Sequence, residues 1–214
     1  MLGTALVNLL ICVPAVLGLL WSAKEWIAVS KVKLDGHPEL LAKQDSKAQR
    51  NAQDVVAEMK KIAKTIQDGA MSFLFAEYTY MAVYIVLFSI VLIFFTGVPT
   101  TIAFVVGAVT SILCGWIGMM IAVYTNVRTT HQCWKDLKAG FDVAIQGGCV
   151  MGLSLVSIGV LAIFVLIEVF KRCFDFERAE VMFEAIAGYG LGGSSIALFG
   201  RVGGGIYTKA ADVG

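Results

Sequence analysis

Apolar and polar residues alternate along this chain in long blocks. Five blocks are apolar over roughly 20 residues, the length that a helix needs to cross a bilayer. The pattern predicts an all-α membrane protein, a polytopic transmembrane helix bundle that occupies residues 1–214 as part of one transmembrane domain. The predicted spans lie at about residues 3–22, 78–95, 101–124, 141–168 and 183–208.

A polar region, residues 23–69, separates the first two spans. Within it, Val55, Met59, Ile62 and Ile66 recur at spacings of 4, 3 and 4 residues, which places them on one face of a helix. The spacing predicts an amphipathic helix, which either lies on the membrane surface or packs on the bundle.

The three connections between the remaining spans differ in character. Residues 96–100, "TGVPT", predict a tight helix-to-helix reversal, because they contain a glycine and a proline. Residues 125–140, "TNVRTTHQCWKDLKAG", predict a polar loop, and residues 171–178, "KRCFDFER", predict a short charged loop.

Lysine and arginine predict the orientation of the spans. Nine of them fall in residues 23–69, and none falls in the turn at 96–100. The positive-inside rule therefore places the amino terminus outside and residues 23–69, with the carboxyl end, in the cytoplasm. The two later loops hold three basic residues each, which weakens this signal.

Composition agrees with a membrane protein and indicates no metal site or charged partner. Hydrophobic residues make up 58% of the chain and charged residues 15%, and the net charge of +1 gives no reason to expect a nucleic acid partner. His37 and His131 are far apart in sequence and lie near no ligand cluster, so both are predicted to be solvated loop residues. The cysteines show no metal-binding spacing and are predicted to be buried reduced thiols: Cys12, Cys114, Cys133, Cys149 and Cys173.

The fifth span is unusually rich in glycine. Eight glycines lie between Gly188 and Gly205. Each costs a helix about 1 kcal/mol relative to alanine, which a lipid-facing helix would not recover. Small residues allow neighbouring helices to approach closely, so this helix is predicted to lie at the centre of the protein.

Arg201 lies near the cytoplasmic end of the same span. Helical geometry places Arg201, Thr208 and Asp212 on nearly one side, with Asp212 about 16 Å beyond Arg201. An arginine in the apolar zone costs roughly 2.5–3.5 kcal/mol on insertion scales. The presence of Arg201 in this span is explained equally well by a role in an ion path and by a side chain that extends to the lipid headgroups.

Lys209 and Asp212 follow at the predicted cytoplasmic end. Their spacing of three residues permits a helix-surface ion pair worth only a few tenths of a kcal/mol. The same two groups also suit a phosphate site, because lysine binds phosphate oxygens and aspartate binds Mg²⁺.

Four stretches together resemble membrane-integral, ion-translocating pyrophosphatases. The most specific is "GYGLGGSSIALFGRVGGGIYTKAADVG", residues 188–214, which is similar to the fifth helix of that family. "DGAMSFLFAEYTY", "GAVTSILCGWIGMMIAVYTNVRTT" and "GFDVAIQGGCVMGLSLVSIGVL" resemble its second, third and fourth helices in order.

The resemblance implies a pump that hydrolyses pyrophosphate and moves protons, or less commonly sodium, across a membrane. It implies Mg²⁺ as cofactor, with K⁺ possible, and a homodimer of about sixteen helices per subunit embedded in lipid, of which this chain is an amino-terminal fragment. Lys209 and Asp212 match the first two positions of the family's substrate motif, with Asp212 toward the metal, and Arg201 matches an arginine of the ion pathway. No residue that activates water is locatable here, so the fragment alone is expected to be inactive. A vacuolar or acidocalcisome-type membrane is implied.

Two other functions fit the same features. One is a non-hydrolytic transporter or channel in which Arg201 binds an anion and the Lys209–Asp212 pair is structural. The other is a purely structural helical subunit.

Overall fold

Five long helices make up the structure, a computed structural model that describes residues 3–37, 46–174 and 179–213. Within those residues there is no strand. All five helices are long and apolar enough to cross a membrane, which confirms the predicted fold class of a helical, multi-pass membrane protein. The helices are α1 (Thr4–Ser30), α2 (Ser46–Thr96), α3 (Val98–Lys135), α4 (Leu137–Cys173) and α5 (Ala179–Val213).

The helices extend well beyond the apolar blocks. The amphipathic segment and the second span form one continuous helix, α2, of 51 residues. A single residue, Gly97, separates α2 from α3, and its φ of 89° is a conformation that glycine adopts without strain. The reversal predicted at residues 96–100 is therefore confined to one position.

The polar loop predicted at residues 125–140 is wrong. This segment is helical except at Asp136, which separates α3 from α4. It contains no glycine or proline before Gly140, and its polar side chains bond back to the helix. The Arg128 Nη1 donates to the Tyr124 carbonyl at 2.9 Å, and the Thr130 hydroxyl donates to the Asn126 carbonyl at 3.0 Å. Polarity alone therefore does not end this helix.

One compact unit comprises residues 1–16, 73–116 and 155–214. Its α2 and α3 segments run antiparallel: the Tyr78 hydroxyl donates to the Ile112 carbonyl at 3.1 Å, and the Phe88 and Phe104 rings are 5.2 Å apart. The core of this unit includes Ala108, from α3, packed with Met81 and Ile196.

Glycines bring α5 and α3 into backbone contact in this unit. A methyl group on Gly188 would collide with the Thr100 carbonyl, and one on Gly192 with the Phe104 carbonyl. On α3, a methyl group on Gly107 would collide with the Tyr189 carbonyl. This confirms that the glycines of α5 serve close helix packing, at least on the face that meets α3.

The second compact unit comprises residues 17–72 and 117–154. The Ser22 hydroxyl of α1 donates to the Val150 carbonyl of α4 at 3.0 Å, and Trp26 packs on Tyr124 with ring centroids 4.7 Å apart. Part of the predicted amphipathic face of α2 borders α3, where the two helices line a groove of about 400 Å³, but Val55, Ile62 and Ile66 remain exposed. The lining residues are Met59, Ile62, Ala63, Ile66, Val123, Asn126, Val127 and Thr130.

The expectation of buried thiols holds only in part. All five cysteines are free, but Cys133 and Cys173 are exposed and the other three are half-buried. The two exposed residues lie in the last turns of α3 and α4, where fewer neighbouring side chains cover a helix.

Candidate substrate and ion-path site

The predicted substrate residues lie together near the carboxyl end of α5. The Lys209 Nζ donates to the Asp212 Oδ2 at 3.3 Å, and the two side chains are 82% and 66% exposed. An exposed pair of this kind contributes well under 1 kcal/mol to stability. Neither side chain bonds to another helix within the described residues. Both charged groups are therefore accessible to a ligand at little energetic cost.

Arg201 lies on the side of α5 that points away from α2. Gly203, two residues on, packs against Phe73 and Glu77 of α2, and Tyr207 stacks on Phe73 at 5.0 Å. Two residues rotate a helix by about 200°, so Arg201 projects from the opposite side. It is exposed and makes no ion pair within the described residues. The side that carries Arg201, Thr208 and Asp212 is thus uncovered.

The uncovered side of α5 has its own small residues. Gly190, Ser194 and Gly205 lie within about 40° of Arg201 around the helix axis. A methyl group on Gly190 or Gly205 would meet nothing within 4 Å. Some glycines of α5 therefore pack on α3 and α2. Gly190 and Gly205, on the side of Arg201, have no neighbour within 4 Å among the described residues.

One polar group of this region was missed in the sequence. The Glu77 Oε1 is buried beside Gly203 and has no hydrogen-bond partner among the described residues. A carboxylate within an apolar helix is normally paired or functional. The available signal was an acidic residue inside the otherwise apolar stretch "SFLFAEYTY".

The prediction that both histidines are solvated loop residues is wrong for His131 and holds only in part for His37, which lies in the irregular segment 31–37 but is half-buried. His131 is part of α3 and is fully buried, and His37 stacks on it with ring centroids 4.1 Å apart. Residues 94 positions apart in sequence are joined because residues 31–37 fold back onto the end of α3. Sequence spacing contains no signal for such a contact.

Five apolar helices and a charged carboxyl end on a glycine-rich helix define an integral, multi-pass membrane protein. The family described as inorganic H⁺ pyrophosphatase matches residues 16–214. The chain belongs to this family, which confirms the resemblance found in the sequence.

Three relatives are similar over about 73% of this chain. A putative K⁺-stimulated pyrophosphate-energized sodium pump of Clostridium tetani is 44% identical over 156 residues. K⁺-insensitive pyrophosphate-energized proton pumps of Moorella thermoacetica and Methanosarcina mazei are 39% and 34% identical, each over 158 residues. The aligned part covers only 22–23% of the length of these relatives.

Proposed function

We propose that the protein carrying this chain hydrolyses inorganic pyrophosphate and couples the reaction to proton transport across a membrane. Family membership supports the reaction class, and two of the similar proteins are named proton pumps. The observation that carries the proposal is the exposed Lys209–Asp212 pair at the end of α5.

The chemistry of this pair suits pyrophosphate. The Lys209 ammonium provides three donors and a positive charge for phosphate oxygens. The Asp212 Oδ2 contacts Lys209 on one side, and the carboxylate is exposed enough to accept a further ligand. Its hard oxygens fit Mg²⁺, which would be held by Asp212 together with substrate phosphates. When bound, Mg²⁺ supplies charge neutralisation of the phosphate oxygens.

The uncovered side of α5 supports a larger assembly. We infer that Ser194, Arg201 and Thr208 face further helices of the same protein, in a fold of about sixteen helices per subunit. A homodimer, stimulation by K⁺ and a vacuolar or acidocalcisome-type membrane belong to the same proposal. The sodium pump of Clostridium tetani is the reason to test sodium beside protons.

The direct test is phosphate release from pyrophosphate by membranes that contain the full-length protein. We expect release that requires Mg²⁺ and is accompanied by acidification on the far side of the membrane. A non-hydrolytic transporter or channel with an anion bound at Arg201 would release no phosphate. Pyrophosphate-driven accumulation of Na⁺ without acidification would replace the proton assignment by sodium transport.

Arg201→Ala is expected to abolish pyrophosphate-driven acidification. The reason is that Arg201 is the one basic residue on the uncovered side of α5 before Lys209, so its removal takes a positive charge from the proposed path. Acidification of vesicles reports the effect, and phosphate release is measured in parallel.

The matched control is Arg172→Ala on α4. Arg172 is 80% exposed and lies 4.0 Å from Glu168 across one helical turn, so it represents an arginine at a helix end without a pathway role. If the two variants acidify vesicles equally well, Arg201 merely reaches to the headgroups.

A further inference from the structure

The geometry points to a binding site for a transition metal ion, of the Zn²⁺ class, formed by Asp35, His37 and His131. These three side chains each offer one ligand atom, and the atoms lie within 4.8 Å of one another. The site shares no residue with the proposed Lys209–Asp212 substrate site. It would join the segment after α1 to the end of α3.

The chain has only two histidines, and both are in this cluster. The His37 Nε2 lies 2.7 Å from the His131 carbonyl oxygen. A carbonyl only accepts, so this contact requires the proton on Nε2, and in the neutral ring Nδ1 then keeps a free lone pair. Metal-binding histidines commonly donate their second ring N–H to a backbone carbonyl in this way. The ring of His37 is therefore already held as a metal-ligand tautomer.

His131 provides the buried side of the cluster. The Gly36 N–H donates to its Nε2 at 2.9 Å, so this nitrogen is unprotonated, and the Asp35 Oδ1 lies 3.9 Å away from it. Its Nδ1 is buried without a hydrogen-bond partner among the described residues. Within the described residues, the buried His131 ring therefore uses only one of its two nitrogens in a hydrogen bond. An ion on Nε2 would replace the single contact from Gly36.

The donor set identifies the class of metal. Two imidazoles and one carboxylate suit Zn²⁺ or a similar divalent transition ion, and they suit Ca²⁺ or Mg²⁺ poorly because those ions prefer oxygen ligands. Ligand atoms around tetrahedral Zn²⁺ are about 3.4 Å apart, given bonds of about 2.0–2.1 Å. The ligand atoms of the cluster lie up to 4.8 Å apart, so the widest separation must shrink by about 1.4 Å to reach this spacing. That contraction falls on residues 31–37, which are irregular, with His37 at a φ of 53°.

Zn²⁺ binding to the full-length protein tests the site directly. We expect His37→Gln to bind one equivalent of Zn²⁺ fewer than wild type in equilibrium dialysis. Asp35→Asn is expected to weaken the same equivalent at least about tenfold. Both side chains lie on the outer part of the cluster, so neither substitution empties a buried position. Equal Zn²⁺ binding by wild type and His37→Gln would overturn the proposal.

The matched control is Cys133→Ser. Cys133 is exposed and lies two residues from His131, so its thiol is the obvious competing ligand. The bound equivalent should be unchanged in this variant. If Cys133→Ser loses Zn²⁺ while His37→Gln keeps it, the thiol binds the ion and the histidine site is wrong.

Limited proteolysis provides a second readout that does not count ions. Lys31 and Lys33 are exposed beside the cluster, so trypsin can cut the segment that the ion would fix. Zn²⁺ should slow cleavage there in wild type and in Cys133→Ser. It should have no effect on the rate in His37→Gln, and an equal slowing in that variant would contradict the proposal.

Discussion

Lys209→Ala is expected to lower the rate of pyrophosphate hydrolysis at least about a hundredfold. Removing one charged donor aimed at a phosphoryl or oxyanion group typically costs this much, because the donor stabilises charge in the transition state. The ion pair with Asp212 is exposed and contributes little to folding, so the loss should not reflect unfolding. Phosphate release by membranes with matched amounts of protein measures the effect.

The control for Lys209→Ala is Lys171→Ala on α4. The Lys171 Nζ contacts the Glu168 Oε1 at 3.0 Å, also three residues away, and its side chain is 45% exposed. The two pairs thus share their spacing and their surface position. If both substitutions leave hydrolysis unchanged, the Lys209–Asp212 pair is only a helix-surface ion pair, and the substrate assignment must be abandoned.

The local features of this chain were predictable from sequence. The length of the apolar blocks predicted all five helices, since a span needs about 20 apolar residues. The spacing of Lys209 and Asp212 gave their contact, because residues three apart are neighbours on any helix. The glycines of α5 gave close packing, since a methyl group at Gly188 or Gly192 has no room.

Features that depend on which helices meet were not predictable. The His37–His131 stack needs the end of α3 to lie against residues 31–37, and neither segment contains a signal for the other. Residues 125–140 were predicted as a loop from polarity, although polar residues at the end of α3 bond back to the same helix. Glu77 could have been singled out as an acidic residue in an apolar stretch, but its contact with Gly203 becomes evident only in the folded chain.

Gly192→Ala is expected to destabilise the 214-residue chain by about 1–3 kcal/mol relative to Gly190→Ala. A methyl group on Gly192 would collide with the backbone of Phe104 and Ala108, so α3 and α5 must separate, as in an overpacked core. Gly190 lies on the same helix with nothing within 4 Å of an added methyl group. The gain in helix propensity, about 1 kcal/mol, is common to both substitutions and cancels in the comparison. Thermal unfolding in detergent measures the difference, and equal stability would show that α5 does not pack on α3.

The same two substitutions in the full-length protein test what covers the other side of α5. If further helices pack against Gly190 and Arg201, Gly190→Ala should become destabilising there while remaining neutral or favourable in the 214-residue chain. The effect of Gly190→Ala on stability would change sign because its methyl group has space in the 214-residue chain but meets a neighbouring backbone in the full-length protein. A neutral Gly190→Ala in both would leave this side of α5 facing lipid, and Arg201 would then have no enclosed path in which to act.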